Sequence, residues 1–199
     1  MSNFTACFPR PGGHAILRTM SPRPAPTETT LREAALNYLA RYAATEVSVR
    51  RFLHRRIDTW ARAAEAPEQA AALKTTVPGI VAKLVELGLI NDAAFAESRA
   101  QGLARSGRSR RAITARLVAK GIPPDQARAA LPDDEGGELV SALILARKRR
   151  IGPFRTSAEP DRNRELGVLA RAGFPGDVAA KALATDPEEA EDLIRAARA

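Results

Sequence analysis

A chain of 199 residues that is 45% hydrophobic but only 5% aromatic can build a core, and that core is expected to be thin and made of helix-on-helix contacts. The single cysteine excludes an internal disulfide, no apolar run reaches the roughly 18 residues needed to span a membrane, and the N-terminus has no signal-peptide stretch, so a reducing cytoplasm is expected. The net charge of +8 is uneven: 91–131 carries eight basic and three acidic side chains, 132–199 eleven and thirteen, a balance that favours an acidic partner such as nucleic acid.

Residues 1–29 hold five prolines and the Gly12-Gly13 pair and read as a disordered tail, with Met20 a second candidate for the start of translation. Thr30 is placed to cap a helix starting at Leu31, with Glu33 completing a capping box. The face of that helix is Leu31, Ala35, Leu36, Tyr38 and Leu39. Thr45 or Ser48 opens the next helix, with Val49, Phe52, Leu53, Ile57 and Trp60 inward and Arg50, Arg51, Arg55 and Arg56 outward. Pro67 reads as a break, or as the first residue of another helical piece, and a third helix is expected over 78–87, stopped by Gly88.

Three short helices follow over 88–131. Asn91 and Asp92 can cap the first, whose apolar positions read as Ala94, Phe95, Ser98 and Leu103, and Gly107 breaks it. Ser109 caps the second, with Ile113, Leu117 and Val118 apolar, and Gly121 sits where a left-handed stop belongs. Asp125 opens the third. None is long enough to be stable alone, so each must pack on neighbours. After an acidic linker over 132–137, where Asp133-Asp134-Glu135 fits a helix-capping role, comes a helix with Leu139, Val140, Leu143, Ile144 and Leu145 apolar. It ends in Arg147-Lys148-Arg149-Arg150. A loop over 154–160 precedes helices at 161–172, 177–184 and 187–198. No segment alternates apolar and polar residues over a strand's length, so the fold class is all-α.

The chain matches itself. One shift sets Leu117, Gly121, Ile122, Pro123 and Asp125 on Leu169, Gly173, Phe174, Pro175 and Asp177; another sets Leu39-Ala40-Arg41 on Leu103-Ala104-Arg105, Thr45 on Ser109 and Leu53 on Leu117. The expected organisation is three tandem three-helix repeats over 31–88, 91–131 and 135–184, with a C-terminal helix at 187–198. Such units contact only their neighbours, giving an elongated, curved body suited to lying along a polymer.

Enzymatic signals are absent: there is no phosphate loop, no dinucleotide glycine pattern and no metal-ligating set, and His54 beside Arg55 reads as a surface residue. The strong feature is basic clusters. Arg105, Arg108, Arg110 and Arg111 surround the helix start at Ser109, and Arg116 and Lys120 continue that helix. Arg50, Arg51 and Arg55 occupy the corresponding helix of the first unit, and Arg147, Lys148, Arg149 and Arg150 close a helix of the third. Arginine forks suit phosphate, and basic residues at a helix C-terminus also complement its dipole.

The segment Leu-Ile-Asn-Asp-x-x-Phe-Ala (89–96), the turn Arg-Ser-Gly-Arg-Ser-Arg-Arg (105–111) and Leu-x-x-Lys-Gly-Ile (117–122) resemble the RecX regulatory proteins, and 35–42 and 171–174 agree. Where family members commonly carry Asp-Asp, this chain has Asn91-Asp92, which still caps a helix. The resemblance implies three three-helix repeats and a non-enzymatic modulator, usually an inhibitor, of RecA recombinase in recombination, DNA repair and the SOS response. Such proteins lie in the groove of the RecA–single-stranded-DNA filament. The implied partners are RecA and single-stranded, with double-stranded, DNA; no cofactor or membrane partner is implied, and the protein reads as a monomer. The alternative is an independent helical DNA-binding protein such as a transcription regulator.

Overall fold

A computed structural model describes residues 24–132, 136–156 and 161–197. The readings of 1–23, of Asp133-Asp134-Glu135, of 157–160 and of position 198 at the end of the C-terminal helix lie outside the described residues. Among the described residues the chain forms ten α-helices and one 3₁₀ turn, with no strand.

The first three helices are α1 (Glu28–Leu39), α2 (Glu46–Ala64) and α3 (Pro67–Glu86). Thr27, not Thr30, caps α1: the Thr27 hydroxyl accepts from the Thr30 amide at 3.2 Å and the Thr30 hydroxyl accepts from the Thr27 amide at 2.9 Å. The helix therefore takes in residues 28–29, read above as tail. The break expected before a separate 78–87 helix is also absent, because α3 runs unbroken through Pro78. An interior proline costs about 3 kcal/mol. Here Pro78 faces outward, while Ala70, Val77, Ile80, Val81 and Leu84 continue one buried stripe past it along α2.

The next three are α4 (Asp92–Arg105), α5 (Arg110–Ala119) and α6 (Pro124–Ala129). Asn91 and Ser109 cap α4 and α5 as expected. The inward face of α4 is rotated from the expected one: Ala96, Ala100 and Leu103 are buried, Phe95 is half-buried, and Ala94 and Ser98 are exposed. Small side chains at 96 and 100 let neighbouring helices close on α4.

The last four are α7 (Gly137–Arg149), α8 (Arg162–Arg171), α9 (Gly176–Ala184) and α10 (Pro187–Ala196). Helix α7 touches α4 of the preceding unit and also α8, α9 and α10. That is why Ser141, Ala142, Leu143, Ile144 and Ala146 are all buried. Phe154, read as the start of a loop, closes the 3₁₀ turn Gly152–Phe154. Glu165, almost fully buried, anchors this turn by accepting from the Gly152 amide at 3.2 Å and from Arg155 at 3.0 Å. Three separate apolar clusters result, centred on Leu53, Ile57 and Leu84, on Leu103, Ile113 and Leu117, and on Leu143, Leu169 and Ile194. Helix α10 joins the third.

The clusters are linked by one joint built twice. Thr45, the cap of α2, is fully buried and donates its hydroxyl to the carbonyl of Lys120 at 2.7 Å, while the amide of Glu46 donates to Asp92 Oδ1 at 3.0 Å. At the next joint Ser109, the buried cap of α5, donates to the carbonyl of Ala172 at 2.7 Å, and the amide of Arg110 donates to the Glu138 carboxylate at 2.9 and 3.2 Å. Lys120 and Ala172 end α5 and α8. The second helices thus meet end to end, α8 to α5 to α2, each C-terminus against the next N-terminus, so that orphan carbonyls and amides satisfy one another. Gly121 and Gly173 follow these ends at φ +94° and +91°. A Cβ at Gly121 would fall 2.9 Å or less from three Val47 carbons, and one at Gly173 would fall 2.8 Å from Ser109 Oγ. In the register that sets Gly121 on Gly173, Asp161 takes the place of Ser109. Its carboxylate caps α8 through the Arg164 amide at 2.9 Å and has no hydrogen to pass to a further carbonyl.

Candidate nucleoprotein interface

The expected basic contacts divide into tied and free side chains. Arg50 is held by Glu46 at 3.0 Å and Arg147 by Glu191 at 3.0 Å. Lys148 donates to the carbonyl of Ser106 at 2.7 Å, and Arg110 donates from Nη1 to the carbonyl of Pro132 at 2.7 Å. These four brace the protein. Among the described residues, Arg51, Arg55, Arg56, Arg105, Arg108, Arg111, Arg116, Lys120, Arg149 and Arg150 are exposed and have no ion pair or side-chain hydrogen bond.

Six of the free cations lie on two of the end-to-end helices, Arg51, Arg55 and Arg56 on α2 and Arg111, Arg116 and Lys120 on α5 and its end. Arg51 and Arg55 are one turn apart on α2, and Arg116 and Lys120 one turn apart on α5, whose C-terminus abuts α2. From their lengths, α5 and α2 extend about 15 Å and about 28 Å. Beyond the far end of α5, Arg105, Arg108 and Arg110 line one cleft of about 190 Å³ with Ile113, Glu138 and Ile144. The Arg-Ser-Gly-Arg turn that presents the first two lies flat on α7: a Cβ at Gly107 would come within 3.0 Å of the Leu145 amide nitrogen and 3.1 Å of the Ser141 carbonyl oxygen. The stem of Arg111 lies against the Gly173 turn.

Chemically this set offers exposed guanidinium forks. His54 is half-buried rather than on the open surface, and among the described residues no group of His, Cys, Asp and Glu could hold a metal ion. No described helix is long and apolar enough to cross a membrane.

Burial raises the pKa of Glu138, opposed by its bond from the Arg110 amide and the charge of Arg110. Its folded value exceeds the unfolded one, near 4.5, so its contribution to stability is present below that pH and is lost as pH rises through the folded value. Glu138→Gln keeps an acceptor for the Arg110 amide without a buried charge. Wild type is therefore expected to gain melting temperature relative to this variant as pH falls from neutral to below 4.5. A pH-independent difference in thermal melts would show that the carboxylate is not desolvated at the joint.

The sequence reading missed the bracing residues Asp92 and Glu138 and the outward bonds of Thr45 and Ser109. One signal was present: a hydroxyl residue recurs at the same repeat position.

The description "RecX, second three-helix domain" matches residues 91–131, the segment holding α4, α5 and α6. "Regulatory protein RecX" of Myxococcus xanthus is 43% identical over 164 residues, covering 80% of this chain and 87% of that protein. This chain belongs to the RecX family. The RecX regulatory protein of Agrobacterium fabrum is 42% identical over 108 residues, covering 53% of this chain and 57% of its own. The crystal structure of RecX from Lactobacillus salivarius superposes with a TM-score of 0.58 at 25% identity, covering 78% of this chain and 94% of that one. The all-α repeat architecture is thus that of RecX, and the family places the chain among regulatory proteins. The Arg-Ser-Gly-Arg turn and the Gly121 stop, two of the motifs that resembled RecX, are the places where its units touch α7 and α2.

Proposed function

We propose that this RecX-family protein binds the RecA–single-stranded-DNA filament as a monomer and modulates RecA in the inhibitory direction, lowering recombinase, ATPase and co-protease activity. The observation that carries this reading is the spread of unpaired cations over all three helical clusters, held in order by two copies of one joint. A repeating filament offers repeating acidic contacts, and several weak contacts on one rigid-linked chain add avidity without any strong single site. Arg51, Arg55, Arg105, Arg108, Arg111, Arg116, Lys120, Arg149 and Arg150 are the proposed contacts with DNA phosphate or acidic RecA surface. Arg50, Arg110, Arg147 and Lys148 support them.

Substoichiometric protein is expected to lower DNA-dependent ATP hydrolysis by RecA of the same organism. No effect at any ratio would reject the proposal. A defined footprint on duplex DNA without RecA would favour a transcription regulator instead.

A further inference from the structure

We infer that the loop between α1 and α2 carries a stacking platform for an unpaired nucleobase, with Tyr42 as its outer ring; this rests on the proposed contact with single-stranded DNA and names a site for it. Three rings form a ladder. Phe52 of α2 and Tyr38 of α1 stack with centroids 4.5 Å apart and planes 14° apart, and Tyr42 leans on Tyr38 at 5.4 Å and 46°. The inner two pack against the first apolar cluster. The outer one is 58% exposed, the sole aromatic among the large apolar side chains that the described residues leave open to solvent.

The position of Tyr42 is set before any ligand arrives. Its amide donates to the carbonyl of Tyr38 at 3.0 Å, and the Arg41 amide donates to the same carbonyl at 3.1 Å. A ring fixed by backbone bonds and by another ring loses little freedom on binding. Its surroundings choose the ligand. Arg41 precedes it, Arg51 flanks Phe52, and Arg55 and Arg56 follow Phe52 by one helical turn; all four are exposed and without ion pairs among the described residues. No acidic residue occurs over 34–45. An open aromatic ring in a segment without acidic residues, next in sequence to Arg41 and stacked through Tyr38 on the arginine-bearing helix α2, suits a base on the ring and its flanking phosphates on arginines, the arrangement that binds single strands without reading sequence. A base inside a duplex has both faces covered and cannot use the ring.

The test compares two single strands of equal length and charge, oligothymidine and its fully abasic counterpart, against the full chain. Wild type is expected to prefer oligothymidine. Tyr42→Ala is expected to lower affinity for oligothymidine about 5- to 150-fold and leave the abasic strand unchanged, with Tyr42→Phe and Tyr42→Trp restoring the preference. Equal loss on both strands, or no loss, overturns the inference, and so does a loss confined to binding RecA without DNA, which would make the occupant a protein side chain. Arg51→Gln with Arg55→Gln separates this from the broader reading. If that pair lowers binding to both strands while Tyr42→Ala does nothing, the platform falls and the phosphate contacts stand. If wild type binds neither strand, the platform and the DNA contacts both fall, and suppression of RecA ATPase alone then decides whether filament modulation survives. Thermal melts check that the variants fold.

Discussion

Gly121→Ala is expected to destabilise the protein by about 3 kcal/mol or more, lowering its melting temperature by roughly 6–12 °C. Two costs combine. The residue sits at φ +94°, where an L side chain is strained, and the new Cβ would meet Val47 at 2.9 Å or less. Val47 lies in the first turn of α2, which is braced on the end of α5, so neither side can yield without opening the Thr45–Lys120 bond. Gly88→Ala is the internal comparison. It has φ +69° and nothing within 4 Å of the added Cβ, so only strain of about 1 kcal/mol is expected. Val47→Gly removes the colliding carbons, so in that background Gly121→Ala is expected to cost only about what Gly88→Ala costs. Thermal or urea unfolding reads wild type, the three single variants and the double variant. A Gly121→Ala protein that melts like Gly88→Ala, or no recovery with Val47→Gly, would mean the two units do not close on each other as described.

Charge reversal should separate the free cations from the tied ones. Arg108→Glu with Arg111→Glu is expected to weaken binding to RecA-coated or bare single-stranded DNA by about a hundredfold or more, taking the low end of about 1.5–3 kcal/mol for each charge-assisted bond. The salt dependence should flatten too, by about 0.7 in log–log slope per phosphate contact removed. Arg50→Gln and Arg147→Gln are expected to leave both quantities nearly unchanged, because Glu46 and Glu191 already engage these side chains. Titration against labelled DNA at several salt concentrations gives affinity and slope together. Equal losses in the two sets would show that total charge, not the availability of particular guanidinium groups, governs binding. Arg110 belongs with the bracing set. Its side chain reaches Pro132 and its amide reaches Glu138, so its replacement mixes a folding effect with any binding effect.

The joint gives these measurements a common physical basis. A cap residue ordinarily satisfies one amide of its own helix. Thr45 and Ser109 do that through Ser48 and Ala112, and each hydroxyl hydrogen then serves a carbonyl of the following unit. A side chain with a donor and an acceptor on one atom can do both; a carboxylate, as at Asp161, cannot. Three units held this way keep their cations in a set order without one shared interior.

The sequence by itself determined the all-α class, the caps at Asn91 and Ser109, the stops at Gly88, Gly107 and Gly121, the internal repeat and the family resemblance. These are legible because capping, left-handed stops and helical periodicity act over four residues or fewer, and a repeat advertises itself at any distance. The same local rules misplaced the start of α1, the face of α4 and the continuity of α3 through Pro78, where burial against neighbouring helices outweighed local preference. Only the tertiary structure decided which arginines are free. Glu46 could be paired with Arg50 by spacing, but Glu191 with Arg147, Pro132 with Arg110 and Ser106 with Lys148 join residues 22 to 44 positions apart. Such partners meet through the folding of whole helices onto one another, which no local pattern of residues encodes.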